Sequence, residues 1–206
     1  MHSPATQHEP TQRAVRTLQL VTIAWMSIEL SVSAWAGIRA CSVALTGFAG
    51  DSAIELFSAL VVLRRFAVGP SIERTAARIN ALLLYALAAY IALSSAASLL
   101  STRFRPQPSL PGIALLLIAA IVMPILGRKK ARLAAQARSD ALQADAAQSN
   151  VCAWMSWIAL AGLVLNALFH IAWADSLAAL FLLPLVLHEA NQARQGKICA
   201  CNDTSC

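Results

Sequence analysis

Six stretches of this chain are long and apolar enough to cross a lipid bilayer: about 17–37, 42–63, 79–100, 111–127, 142–169 and 173–188. The hydrocarbon core is roughly 30 Å thick and takes about 20 apolar residues per helix. It holds no water to satisfy loose backbone groups, so spanning segments must be helices or a closed barrel. Long runs rich in Ala and Leu, without sustained two-residue alternation, point to helices. Of the 206 residues 58% are hydrophobic and 13% charged, with mean hydropathy +0.63, more apolar than the interior of a soluble domain this size can absorb. The expected fold class is all-α: a polytopic membrane protein with six transmembrane helices.

A net charge of +6 invites a nucleic-acid reading, but the distribution of the charge argues against it. With the N-terminus inside, the cytosolic side receives Arg13, Arg16, Arg64, Arg65, Arg74, Arg78, Arg128, Lys129, Lys130, Arg132, Arg138, Arg194 and Lys197, and the outer side only Arg39, Arg103 and Arg105. This 13-to-3 division of the 16 basic residues follows the positive-inside rule, places both termini in the cytosol, and leaves no basic-aromatic patch for nucleic acid. The leader "MHSPATQHEPTQRAVR" precedes a full-length span and "SAWAG" is a weak cleavage match, so the first helix reads as uncleaved. The expected organisation is a cytosolic tail over 1–16, a membrane domain over 17–190 and a cytosolic tail over 191–206, in the inner or plasma membrane.

The connections carry ordinary turn chemistry. Gly69-Pro70 breaks the chain between helices two and three, and Pro111 suits the first turn of helix four. "GRKKARLAAQARSDALQADAAQ" reads as a basic loop leading into helix five, whose Ala-rich part begins the helix before the hydrocarbon. Trp173 falls at interface depth, with Asp175 or Ser176 as the expected cap of helix six. Helices one to three and four to six look like two weakly similar halves, each with acids on its middle helix, an arrangement that transporters use to build a midplane site.

The acids inside the apolar runs carry the chemistry. A carboxylate at bilayer centre costs ~3 kcal/mol on insertion scales, so Asp51 and Glu55 need a shared cation, a proton or a wet cavity. Spaced four apart, they point about 40° from one another on one helix face and can chelate one ion. Alternatively Asp51 caps helix two behind a "TGFAG" loop, which leaves Glu55 unexplained. On helix five, Asp145, Gln148 and Cys152 form one stripe. Matching depths at about 1.5 Å per residue sets Cys152 near Asp51, Gln148 near Glu55 and Asp145 closer to the cytosol. Two carboxylates and a thiolate, completed by the Gln148 carbonyl or water, suit zinc and its softer neighbours. Cys152 read alone is a small hydrophobe, and Asp145 read alone belongs to the loop. Glu29, in helix one, carries protons or simply bonds a neighbouring helix. His170 and His188 read as interfacial residues at helix ends. Cys199, Cys201 and Cys206 lie in the reducing cytosol, as accessory metal ligands or as an unstructured tail, with His2 and His8 on the same side.

Three motifs in order resemble the cation diffusion facilitator family over roughly residues 20–190. "SVALTGFAGDSAIELFSALVVL" looks like its second-helix motif, "SDALQADAAQSNVCAWMSW" is similar to its fifth-helix "ALxADAxHxxxD", and "WADSLAAL" resembles the "W-x-D-P-L-A-A-L" that opens helix six. The resemblance implies a homodimer that exports zinc-like divalent cations from the cytosol by proton exchange, with no permanent cofactor and no enzymatic activity. Asp51 and Glu55 match the family's two acids, whereas its helix-five His and Asp fall on Gln148 and Cys152. The family's large cytosolic metal-binding domain is missing from this sequence, and the Cys-containing tail stands in its place. Two readings compete with export: a non-transporting metal-binding or regulatory membrane module with polar faces as interhelical glue, and a thiol-redox membrane enzyme, disfavoured because Cys41 has no outer-face partner.

Overall fold

The computed structural model describes residues 8–68, 73–100, 105–137 and 139–195. They form six helices: α1 (His8–Ala40), α2 (Val43–Val68), α3 (Glu73–Leu100), α4 (Leu110–Ala137), α5 (Asp140–Phe169) and α6 (Ala172–Gln195). Each contains a segment long and apolar enough to cross a membrane. Several exceed the need: the 33 residues of α1 extend about 50 Å at about 1.5 Å per residue, and the helix reaches back to His8, inside the stretch expected to be a tail.

The polarity is that of a protein in lipid. Leu82, Leu93, Ile121, Trp154, Leu168 and Phe181 lie exposed around the perimeter, while Glu29, Asp51, Glu55, Lys130 and Asp145 are buried. In water this perimeter would be an aggregation fault, and in a bilayer it is the lipid-facing surface. The helices pack so that each in the first half touches its counterpart in the second: α1 meets α4, α2 meets α5 and α3 meets α6. Helix α2 contacts α1, α3, α5 and α6, which puts Asp51 and Glu55 at the centre. Met26, Phe48, Leu116, Met123, Met155 and Leu182 form the apolar core around them. A smaller cluster of Val15, Val62, Ala134 and Leu142 closes the end where α1 and α5 begin and α2 and α4 finish.

The α1–α2 corner is tight. Ser42 N–H donates to Gly37 O at 3.0 Å and Cys41 N–H to Ile38 O at 3.3 Å, a Schellman termination with Cys41 in the left-handed region at φ 52°. A Cβ on Gly37 would lie 2.9 Å from the Thr46 backbone nitrogen, so glycine is what lets α2 return so close to α1. At the same end Asp175 departs from its expected role. Helix α6 already begins at Ala172, so neither Asp175 nor Ser176 caps it. The Asp175 carboxylate instead accepts from Ser42 Oγ at 2.5 Å and from the Val43 and Ala44 amides at 2.9 and 3.4 Å, capping α2 from another helix. Those first-turn amides have no intrahelical acceptor, and a buried carboxylate is their strongest partner. Ser176 donates to Ser98 Oγ at 2.9 Å, tying α6 to α3.

The basic stretch after Gly127 is also different from the expectation. It is not a loop: α4 runs on to Ala137, and Ser139 then caps α5, accepting from the Leu142 amide at 3.3 Å. Arg, Lys, Ala, Leu and Gln are strong helix formers, and nothing in "RKKARLAAQA" interrupts the helix. Pro111 does lie in the first turn of α4, behind Ser109, whose hydroxyl accepts from the Gly112 amide. Gly69-Pro70 lies outside the described residues.

Two substitutions test this corner by thermal unfolding in detergent. Cys41→Gly removes the left-handed strain and should raise stability by about 0.5–1 kcal/mol. Asp175→Ala strips the cap from α2 and should lower it by about 1–2 kcal/mol, with Asp175→Asn between the two.

Candidate metal centre

Helix α2 runs unbroken from Val43, so Asp51 lies two turns inside it and does not cap it. Asp51, Ser52 and Glu55 are all buried on its inner face. Opposite them α5 presents Asp145, Gln148, Ser149 and Cys152, all buried. Asp145 is therefore a residue of the helix interior and not of a loop. From α1 come Gln19 and Glu29, both with no exposed surface.

One carboxylate oxygen of Asp51, one of Glu55 and the Cys152 sulfur lie within 4.8 Å of one another. With Zn–O about 2.1 Å and Zn–S about 2.3 Å, ligands on opposite sides of one ion are about 4.4 Å apart and tetrahedral neighbours closer. Side-chain adjustments of about an ångström therefore bring all three onto one ion. Among the described residues no hydrogen-bond partner meets either oxygen of Asp51, Oε2 of Glu55, Oε2 of Glu29 or Nε2 of Gln148. Buried oxygens without a donor are costly, and here they concentrate where a cation would satisfy several at once. The donor set fits a borderline metal, hard carboxylates on one side and a soft sulfur on the other.

Glu29 closes the side of the site towards α1. Its Oε1 accepts from Ser52 Oγ at 3.0 Å and from Cys152 Sγ at 3.6 Å. It therefore contacts the thiol directly, and its other oxygen has no partner among the described residues. Gln148 lies one turn before Cys152, buried on the same helix.

A second cluster adjoins the first through Glu55. Lys130 of α4 is wholly buried, with its ammonium 3.2 Å from Glu55 Oε1 and 3.0 Å from Asp145 Oδ2. It also donates to Ser149 Oγ at 2.8 Å, and Ser149 in turn donates to Glu55 Oε1. Gln19 Nε2 donates to the same Asp145 oxygen at 2.8 Å. Asp145 thus stands outside the three-residue group and is held by an ammonium and an amide. Lys130 was expected among the cytosolic loop charges, and the structure buries it. Its position was legible: Met123, Gly127, Lys130 and Ala134 continue one helical stripe of buried residues in α4, while Arg128 and Lys129 point outward. Ser149 and Gln19 carry no comparable signal, since buried hydroxyls and amides in membrane helices commonly serve interhelical packing.

The remaining candidates lie elsewhere. His170 ends α5 in the left-handed conformation at φ 56°, exposed. His188 is exposed beside Gln192 on α6. Cys199, Cys201, Cys206 and His2 fall outside the described residues, and the side chain of His8 likewise.

The family model described as the cation efflux transmembrane domain matches residues 70–192, more than half of the 206-residue chain. The match takes in α3 to α5 and nearly all of α6, with Lys130, Asp145, Gln148 and Cys152, and begins after Asp51 and Glu55. No curated protein matches the chain significantly.

Proposed function

The chain belongs to the cation efflux family, a family of membrane transporters for metal cations, and from that premise we propose that it exports a divalent, zinc-like cation from the cytosol in exchange for protons. The observation that carries this reading is the convergence of Asp51, Glu55 and Cys152 within 4.8 Å inside a bundle of six candidate spans. In this reading Asp51 and Glu55 supply the charge that draws a dication out of water. Cys152 supplies the soft donor, and Gln148 or Glu29 completes the shell from the neighbouring turn or helix. Zinc is the first candidate and cadmium its softer neighbour. Both termini are cytosolic, as the basic residues indicate. The working unit is a homodimer in the cell membrane.

Export of a dication against a cytosol-negative potential is opposed by ~2.3 kcal/mol per charge per 100 mV, so a coupling ion is needed. Carboxylates and a thiol that give up protons to take metal link the two fluxes, because ligand deprotonation makes affinity depend on pH. Proton binding from the outer side then favours metal release there.

Reconstituted vesicles loaded with a zinc-sensitive dye test the reading. Asp51→Ala and Glu55→Ala should each lower zinc flux by roughly a hundredfold or more, while the protein still inserts. Metal binding with no flux by the unaltered protein would support instead a non-transporting metal-binding module. An imposed pH gradient should drive flux, and flux indifferent to it would remove the antiport.

Selectivity gives a separate test. Cys152→Asp exchanges the sulfur for a harder oxygen donor, so the ratio of cadmium to zinc transport should fall several-fold. Replacing Cys199, Cys201 and Cys206 together by Ser should leave the ratio unchanged. An unchanged ratio in Cys152→Asp would make Cys152 a packing residue.

A further inference from the structure

The role of Lys130 follows from where its two acids stand. Its ammonium has no exposure and lies between Glu55, a member of the three-residue group, and Asp145, which is not. An ammonium carried into a bilayer is as costly as a carboxylate, so a lysine placed for helix packing alone would be replaced by an apolar residue at no loss. The arrangement does something that an apolar residue could not. It puts a fixed positive charge on one of the carboxylates that a bound cation would take, at Oε1 of Glu55.

We propose that Lys130 is a tethered competitor for the cation site: its ammonium holds Glu55 until a divalent ion takes that carboxylate, and Asp145 then carries the ammonium alone. This rests on the reading of Asp51, Glu55 and Cys152 as the cation site. The exchange completes the balance of charge. Before it, Lys130 bridges Glu55 and Asp145. After it, one dication faces Asp51 and Glu55 while one ammonium faces Asp145. Asp145 is prepared for that duty, since Gln19 Nε2 fixes its Oδ2 at 2.8 Å on the oxygen that Lys130 already contacts. Ser149 lies between the ammonium and Glu55, accepting from one and donating to the other, so Glu55 keeps a donor when the ammonium leaves.

The consequence is discrimination by valence. A monovalent ion at Glu55 would only exchange one single charge for another, and would forfeit the ammonium's hydrogen bonds to Glu55 and Ser149. A dication adds a charge to the same two carboxylates and gains from both. Lys130 therefore acts through Glu55 as a positioning and specificity-determining residue without touching the metal.

The test is zinc affinity of the purified full chain, prepared with zinc present and titrated against a fluorescent chelator. Lys130→Met should bind zinc roughly tenfold or more tightly than the unaltered protein, because the competitor for Glu55 is gone. Lys130→Arg keeps the charge and should stay within about threefold of the unaltered protein. Lys130→Met leaves Asp145 unpaired, so Lys130→Met with Asp145→Asn removes the ammonium and its second acid together and should show the same gain. A purely structural ion pair predicts the reverse, weaker or unchanged binding in both Met variants, and that result overturns the proposal. Failure of the double variant to fold also overturns it, because a competitor is dispensable once its partner acid is neutral. If the unaltered protein itself binds no zinc, the site reading fails first and the competitor with it; normal binding with unmoved affinity in the variants defeats only the competitor.

Discussion

A charge in the middle of a bilayer costs ~3 kcal/mol even on the most forgiving scales, and this bundle encloses Glu29, Asp51, Glu55, Asp145 and Lys130 with almost no exposed surface. Lys130 neutralises one acid's worth of charge while touching two of them. Of the other carboxylates, Glu29 leans on the Ser52 hydroxyl, and Asp51 has no hydrogen-bond partner among the described residues. Such an interior is unstable as a permanent arrangement of charges and suited to one that a passing cation completes. The desolvation cost that makes these residues rare in membrane helices is the same quantity that would give a dication its grip.

The rest of the fold keeps that interior in register. Helix α2 carries Asp51 and Glu55, and both of its flanks are fixed from elsewhere. Glycine at 37 lets it return against α1, and Asp175 of α6 caps its first turn. Contacts of α1 with α4, α2 with α5 and α3 with α6 pair the two halves helix by helix. The polar faces of the four helices α1, α2, α4 and α5 consequently meet along one line, from Gln19, Asp145 and Lys130 through Glu55 to Cys152 and Glu29. Two clusters share a single residue, Glu55, and it is there that the proposed cation would compete with the ion pair.

Much of this was legible in the sequence, for a physical reason. Hydrocarbon admits only long helices, so the apolar runs gave all six helices directly, and an acid inside such a run is conspicuous. Depth counting also brought Cys152 of α5 to Asp51 of α2, as found. What the sequence hid was helical structure written in charged residues. The charges of "GRKKARLAAQ" suggest a loop in water, yet its residues are helix formers and one of its lysines turns inward. Asp175 was hidden differently: a capping residue reads as capping its own helix, and only tertiary structure could show it serving α2. Gln19 and Ser149 carry no distinguishing signal in the sequence, and only the fold shows their partners.

The central claim is that one sulfur and carboxylate oxygens from two helices meet on a single ion inside the bundle. X-ray absorption on the full chain, with Cys199, Cys201 and Cys206 replaced by Ser and loaded with one equivalent of zinc, measures that shell directly. The account predicts one sulfur at about 2.3 Å with the other donors oxygen or nitrogen at about 2.0–2.1 Å, and loss of the sulfur in Cys152→Ser. A shell without sulfur in the Cys152 protein, or one that Cys152→Ser leaves unchanged, would contradict it.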